Sequence, residues 1–142
     1  MACWINEGGK TQAQFNDIPA APRPIAPYSH SVLCGPFLFL TGQMPIDPAS
    51  NEWVRGDIGN QTLAVMANIK IVLGYSGLSM RNIVQCRVYL SRMDLYEEFN
   101  NAYKSEFAMA QANLPARTCV AISGLAGGAD VEIDAIAWKP LD

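Results

Sequence analysis

Apolar residues recur along this chain with two different periods, and the changes between them divide it into elements. From residue 58 to 75, Val65, Met66, Ile69, Val72 and Leu73 fall on one stripe of a 3.6-residue helix. Asp57 stands at its start as a capping carboxylate, and Gly77 suits the turn beyond its end. A second helix is predicted from Asp94, with Glu97 in capping-box position, to about Ala112, carrying Phe99, Tyr103 and Phe107 at i, i+4 spacing. Strand patterns fill the remainder. Residues 28–34 and 36–41 read as two strands around a turn at Gly35-Pro36, with Phe37, Leu38, Phe39 and Leu40 as a buried run. Residues 83–91 alternate, placing Val84, Cys86, Val88 and Leu90 on one face and Gln85, Arg87 and Tyr89 on the other. Strands over 117–123 and 131–138 follow, joined by a Gly-rich turn over 124–128. Residues 44–56 form a loop marked by Pro45, Asp47-Pro48 and Gly56. Residues 1–17 lack periodicity and 18–27 are Pro/Ala-rich and extended, so residues 1–23 are expected to be an appended arm on a single domain over 24–142.

The order β-β-α-β-α-β-β predicts an α+β domain with one mixed sheet and both helices on a single face. Its other face would carry Gln85, Arg87, Tyr89, Arg117, Cys119, Glu132, Asp134, Ile136 and Trp138. Such a face is too polar for a monomer core and too apolar for an ordinary wet surface, which argues for an oligomer packed around a common axis. Ligand pockets then tend to fall at subunit boundaries.

Composition narrows the function. With 142 residues the chain can bury one core without disulfides or a metal. A net charge of −3 supplies no basic face for nucleic acid. No apolar run is long enough for a membrane helix and no leader pattern opens the chain, which, with four cysteines that form neither C-x-x-C pairs nor a disulfide framework, suggests a cytoplasmic protein with reduced thiols. His30 is the only histidine, so a zinc site is not expected and no cofactor is implied. Asn60-Gln61-Thr62 reads as a chance sequon, and the 124–128 turn is too short for a phosphate-cradling loop.

The candidate chemistry lies in Leu114-Pro115-Ala116-Arg117-Thr118-Cys119-Val120 and Val131-Glu132-Ile133-Asp134, which put one guanidinium and one carboxylate at matching positions on two strands. A guanidinium clamps a small substrate's carboxylate, and a nearby Glu manages water. If the two converge, the site holds an anionic metabolite and hydrolyses it without a metal. The competing reading makes Arg117 an ion-pair partner of Glu132 or Asp134, with Asp134 equally suited to ordering Arg87. Tyr28 and His30 read equally well as structural residues, and Cys119 as an inert thiol.

Pro27-Tyr28-Ser29, Thr41-Gly42-Gln43, Gln61-Thr62, Asn68-Ile69, Gly77-x-Ser79, Asn100-x-x-Tyr103, Pro115-Ala116-Arg117 and Val131-Glu132-Ile133-Asp134-Ala135-Ile136-Ala137 follow one another in the order and spacing of a known family. From Pro24 onward the chain resembles the reactive intermediate deaminase A family, also called the YjgF/YER057c/UK114 family. The resemblance implies a chorismate-mutase-like fold of the bacillus type and a homotrimer with sites between subunits. It also implies hydrolysis of enamine and imine intermediates, such as 2-aminoacrylate, 2-iminopropanoate and 2-iminobutanoate, to 2-keto acids and ammonia. Carried over to this sequence, it makes Arg117 the carboxylate ligand and Tyr28 and Glu132 the groups at the reacting centre. Thr41, Gly42, Asn100 and Cys119 become the lining. His30 departs from the Gln- or Ala-like residues of the family at that position. The rival functions are a ligand-binding or chaperone-like relative, a deaminase dedicated to a larger substrate such as 2-aminomuconate, and a ribonuclease, which the acidic charge disfavours.

Overall fold

A computed structural model describes residues 12–141. Its elements in chain order are β1 (Gln14–Asn16), β2 (Ser31–Cys34), β3 (Phe37–Gln43), α1 (Ile58–Tyr75), β4 (Ile83–Leu90), α2 (Tyr96–Met109), β5 (Ala116–Ala121) and β6 (Val131–Trp138). The strands form one six-stranded sheet in the order β1-β2-β3-β6-β4-β5, antiparallel except where β5 runs parallel to β4. That parallel pair requires a crossover, and α2 supplies it.

Both helices cover one face of the sheet. The α1 stripe of Val65, Met66, Ile69, Val72 and Leu73 is wholly buried, against Leu38 and Leu40 of β3 and Val131, Ile133, Ala135 and Ala137 of β6. Asp57 caps α1 as expected, its carboxylate accepting from the Asn60 backbone N–H at 2.8 Å. At the other end Gly77 takes a positive φ of 74°, so that the Leu78 N–H reaches the Leu73 carbonyl and closes the helix. Phe99, Tyr103 and Phe107 of α2 stack in sequence, with ring centroids 5.6 and 4.8 Å apart.

Several expectations are corrected. In β4 the residue on the core side is Ile83, 5% exposed, while Val84 is 43% exposed. The pairing of β4 with β6 shifts register between Ile83 and Gln85, and this irregularity changes the alternation that simple period-two counting assumes. Phe37 and Phe39 are not core residues either: at 41% and 43% exposure they share the open face, and only Leu38 and Leu40 point inward. The second helix starts at Tyr96 after a 3-10 turn over Met93–Leu95, because Asp94 pairs with Arg92 at 2.9 Å instead of capping. It ends at Met109, and Gln111 follows in a left-handed conformation.

The part of the expected arm that is described is integral to the domain. β1 pairs with β2, and Ile18 and Ala21 are buried in the core. The buried His30 fastens this stretch: its Nδ1 accepts from the Ile18 N–H at 2.9 Å while its Nε2 bonds the Pro22 carbonyl at 2.8 Å. One imidazole therefore satisfies both ends of a turn. Residues 1–11 of that arm lie outside the described residues.

Asn68 does similar work for the loop after β3. Its buried amide donates to the carbonyls of Met44 at 3.0 Å and Ile46 at 2.8 Å. Asn68→Leu keeps the branched skeleton but removes the donor to Ile46 and leaves the Met44 carbonyl with only the Ile46 N–H, so unfolding by urea is expected to show a loss of about 1–3 kcal/mol. A loss below about 1 kcal/mol would mean that the loop is held by other contacts.

Candidate functional site

The expected site residues other than Cys119, which lines neither, fall into two clefts on opposite sides of the sheet. The first, about 320 Å³, opens beside the uncovered face and is lined by Tyr28, Thr41, Gly42, Tyr89, Glu132 and Asp134, among others. Glu132 and Asp134 share a face because they are two residues apart on β6. Their surroundings differ. Asp134 accepts from the Arg87 guanidinium at 2.9 and 3.2 Å and from the Tyr89 hydroxyl at 3.3 Å, which settles its pairing on Arg87. Glu132 has no cation within 4.0 Å among the described residues. Burial, and then the negative charge of Asp134, push the Glu132 carboxyl above the usual carboxylate range.

Gly42 leaves room for that carboxylate. A Cβ built at Gly42 would stand 2.8 Å from Cδ and Oε1 of Glu132, closer than any real contact. Tyr28 is anchored by its own loop: its hydroxyl oxygen accepts from the Ile25 N–H at 3.1 Å, leaving the phenolic proton free to donate into the cleft.

Arg117 lies in the second cleft, of about 260 Å³, with Asn100, Tyr103, Lys104, Leu114 and Pro115. Its placement on the open face is corrected by the strand register. In the parallel pair Arg117 lies beside Cys86 and Cys119 beside Val88, and both β4 partners are buried beneath the helices. Arg117 and Cys119 thus face the helix side. The guanidinium sits over the rings of Tyr103, Phe99 and Tyr96 at 4.9, 5.6 and 5.7 Å and donates to the Tyr96 hydroxyl at 3.2 Å. No carboxylate comes within 4.0 Å of it among the described residues, so the expected ion pair with Glu132 or Asp134 does not form within the chain.

The Asn100 Oδ1 is buried without a hydrogen-bond partner, and the buried Tyr103 hydroxyl has only the Cys86 thiol beside it. Burial raises the pKa of the neighbouring Cys86 thiol to about 11, and it also raises that of Cys119 despite the opposing pull of Arg117. Neither thiol is a ready nucleophile at neutral pH. Lys104 and Tyr96 escaped sequence reasoning, since a lysine and a tyrosine on an exposed helix face carry no pattern of their own. Tyr103 was legible as part of an apolar stripe and of the Asn100-x-x-Tyr103 motif, but not as a lining residue.

The family described as Endoribonuclease L-PSP matches residues 18–139. The chain belongs to this family, which is also known as YjgF/UK114/RutC. A RutC family protein of Pyrococcus horikoshii is 42% identical over 119 residues, covering 84% of this chain and 92% of its own. The crystal structure of yeast YEO7 superposes with a TM-score of 0.85 at 34% identity, covering 91% of this chain and all of that one. The crystal structure of Escherichia coli TdcF with bound serine gives 0.85 at 30% identity, covering 89% and 99%. Family membership supports a deaminase-like or imine-processing role. The mixed sheet with two helices is the architecture of these relatives.

Within this Endoribonuclease L-PSP member the shared motifs separate into two kinds. Gln61, Thr62 and Asn68 bond to Asp130, Ile58 and the Met44 loop, and so support the frame. Tyr28, Thr41, Gly42, Asn100, Arg117 and Glu132 border the clefts. Carbon-13 NMR titration of the Glu132 carboxyl is expected to give a midpoint above the usual glutamate range. Asp134→Asn removes a negative neighbour and should move that midpoint down, though burial keeps it raised. An upward movement would mean that Asp134 acts through its bond to Arg87 rather than through its charge.

Proposed function

We propose that this protein is a hydrolytic deaminase of small carboxylate-bearing imines and enamines, including 2-aminoacrylate/2-iminopropanoate and 2-iminobutanoate. It converts them to 2-keto acids and ammonia. The observation that carries this reading is the division of the site: a guanidinium without a carboxylate partner on one side of the sheet, and an unpaired carboxylate with a raised pKa on the other. Neither cleft alone holds both groups. A complete site forms when the Arg117 cleft of one subunit meets the Glu132 cleft of the next, as in a cyclic homotrimer.

The uncovered sheet face favours such an assembly. Phe15, Val32, Phe39 and Ile136 run across it in register, and Phe37 lies beside Trp138. Phe15, Phe37, Phe39 and Trp138 are all exposed in the single chain, a larger apolar area than isolated surface residues account for.

The chemistry follows from the groups. The Arg117 fork binds the substrate carboxylate through two parallel N–H donors and fixes the adjacent C=N carbon. Ionised Glu132 takes a proton from water as the oxygen attacks that carbon, giving a carbinolamine. Proton transfer to the nitrogen, aided by the Tyr28 hydroxyl, lets the C–N bond break. The nitrogen leaves as ammonia and the hydroxyl proton of the carbinolamine is lost as the keto group forms. A raised carboxyl pKa suits a group that accepts and returns a proton within one turnover.

Serine, the molecule bound in the TdcF relative, combines one carboxylate with a neighbouring amine nitrogen, as this substrate class does. The free thiols Cys34, Cys86 and Cys119 suit a reducing compartment, and we place the enzyme in the cytosol. The net charge of −3 and the carboxylates in the open-face cleft disfavour an RNA substrate.

With imines generated in situ, Glu132→Gln is expected to lower kcat by about 10²-fold or more. Arg117→Lys should lower kcat/KM by about 10-fold or more, because lysine keeps the charge but loses the planar fork. Equal activity in the Lys variant would place carboxylate recognition elsewhere. Co-expressing inactive Arg117→Ala with inactive Glu132→Gln tests the shared site. In a cyclic assembly of random composition, about one quarter of the boundaries join an intact Arg117 to an intact Glu132, and activity should return to that fraction. No recovery in demonstrably mixed oligomers would mean that each site belongs to one chain.

A further inference from the structure

The Arg117 cleft contains a second cation that the deamination of a monocarboxylate does not use. We propose that Lys104 is a further anion ligand of this cleft, and that the preferred substrates are 2-imino acids bearing a second carboxylate. This rests on the shared-site reading above and names its substrate class.

Lys104 follows Tyr103 on α2 and lies one helical turn beyond Asn100, so that Asn100, Lys104 and Arg117 border one cavity. No acidic residue stands three or four positions from Lys104: those places are held by Asn100, Asn101, Phe107 and Ala108. The nearby Glu106 is paired instead with Lys70 of α1. Among the described residues, Lys104 and Arg117 are therefore two cations in one cleft with no carboxylate within 4.0 Å of either. The rest of the lining suits a short carbon chain between two charges. Leu114 and Pro115 supply an apolar wall, and the buried Asn100 Oδ1, which has no partner, stands beside it.

The two cations differ in a useful way. Arg117 is held on three rings and is suited to a fixed bidentate clamp at the reacting end. Lys104 is a point charge on a flexible stem, suited to a distal carboxylate whose distance varies with chain length. A monocarboxylate bound to Arg117 leaves Lys104 without a partner, whereas a dicarboxylate engages both.

Calorimetry with stable keto acids tests this without requiring turnover. 2-Oxoglutarate is expected to bind the intact oligomer about 10-fold or more tightly than 2-oxobutanoate, the scale of one charge-assisted contact. Lys104→Ala should erase that advantage, Lys104→Glu should reverse it, and Lys104→Arg should retain it. The same ordering is expected in the ratio of kcat/KM for the imines of glutamate and alanine, each generated in situ. Equal affinities in the unaltered protein, or an advantage that survives Lys104→Glu, would overturn the proposal. If the imines are hydrolysed with no preference for the dicarboxylate, only the role of Lys104 fails. If neither imine is hydrolysed while the Lys104-dependent binding persists, the deaminase reading fails and the anion site stands.

Discussion

The register of β5 on β4 determines how the rest of the site can be built. β5 is an edge strand with one neighbour, and its pairing sets Arg117 beside Cys86 rather than beside Arg87. A slip of one residue would turn Arg117 to the open face and bring it toward Asp134 and Glu132. In the observed register the sheet itself stands between the guanidinium and those carboxylates. The aromatic rings of α2 then receive Arg117, and its charge is held without being neutralised.

Keeping opposite charges apart has a chemical consequence. An arginine and a glutamate in contact would satisfy each other, and a substrate carboxylate would have to break that pair before binding. Here Asp134 is occupied by Arg87 and Tyr89, so it supplies negative potential to Glu132 without competing for Arg117. Burial and the negative charge of Asp134 raise the pKa of Glu132, and separation across the sheet leaves Arg117 without a carboxylate partner.

The frame that holds these positions relies on buried polar side chains spanning loops. His30 closes the turn over residues 18–22, Asn68 holds the Met44 loop and Gln61 binds both the Gly56 carbonyl and Asp130. Each bridges backbone groups that have no strand or helix partner. Such groups are costly to bury unpaired, so a single side chain fixes a whole segment. Met44 comes to the open-face cleft from one of the segments so fixed.

Much of this was legible in the residue pattern. The α1 stripe with its Asp57 cap and Gly77 exit, the extent of β6 and the division of the chain into one mixed sheet under two helices all follow from local periodicity, because each depends on neighbours within a turn or two. The family resemblance named Arg117, Glu132, Tyr28 and Gly42 as expected site residues, and the structure sets them at two clefts. Tertiary structure decided what local pattern leaves open. The irregular pairing at Val84 shifted the phase of β4, Arg92 drew Asp94 away from its capping role, and pairing with β2 drew residues 14–16 into the sheet. Above all, the face occupied by Arg117 depended on the strand beside it, since an alternating segment fits either side equally well until a neighbour sets its register.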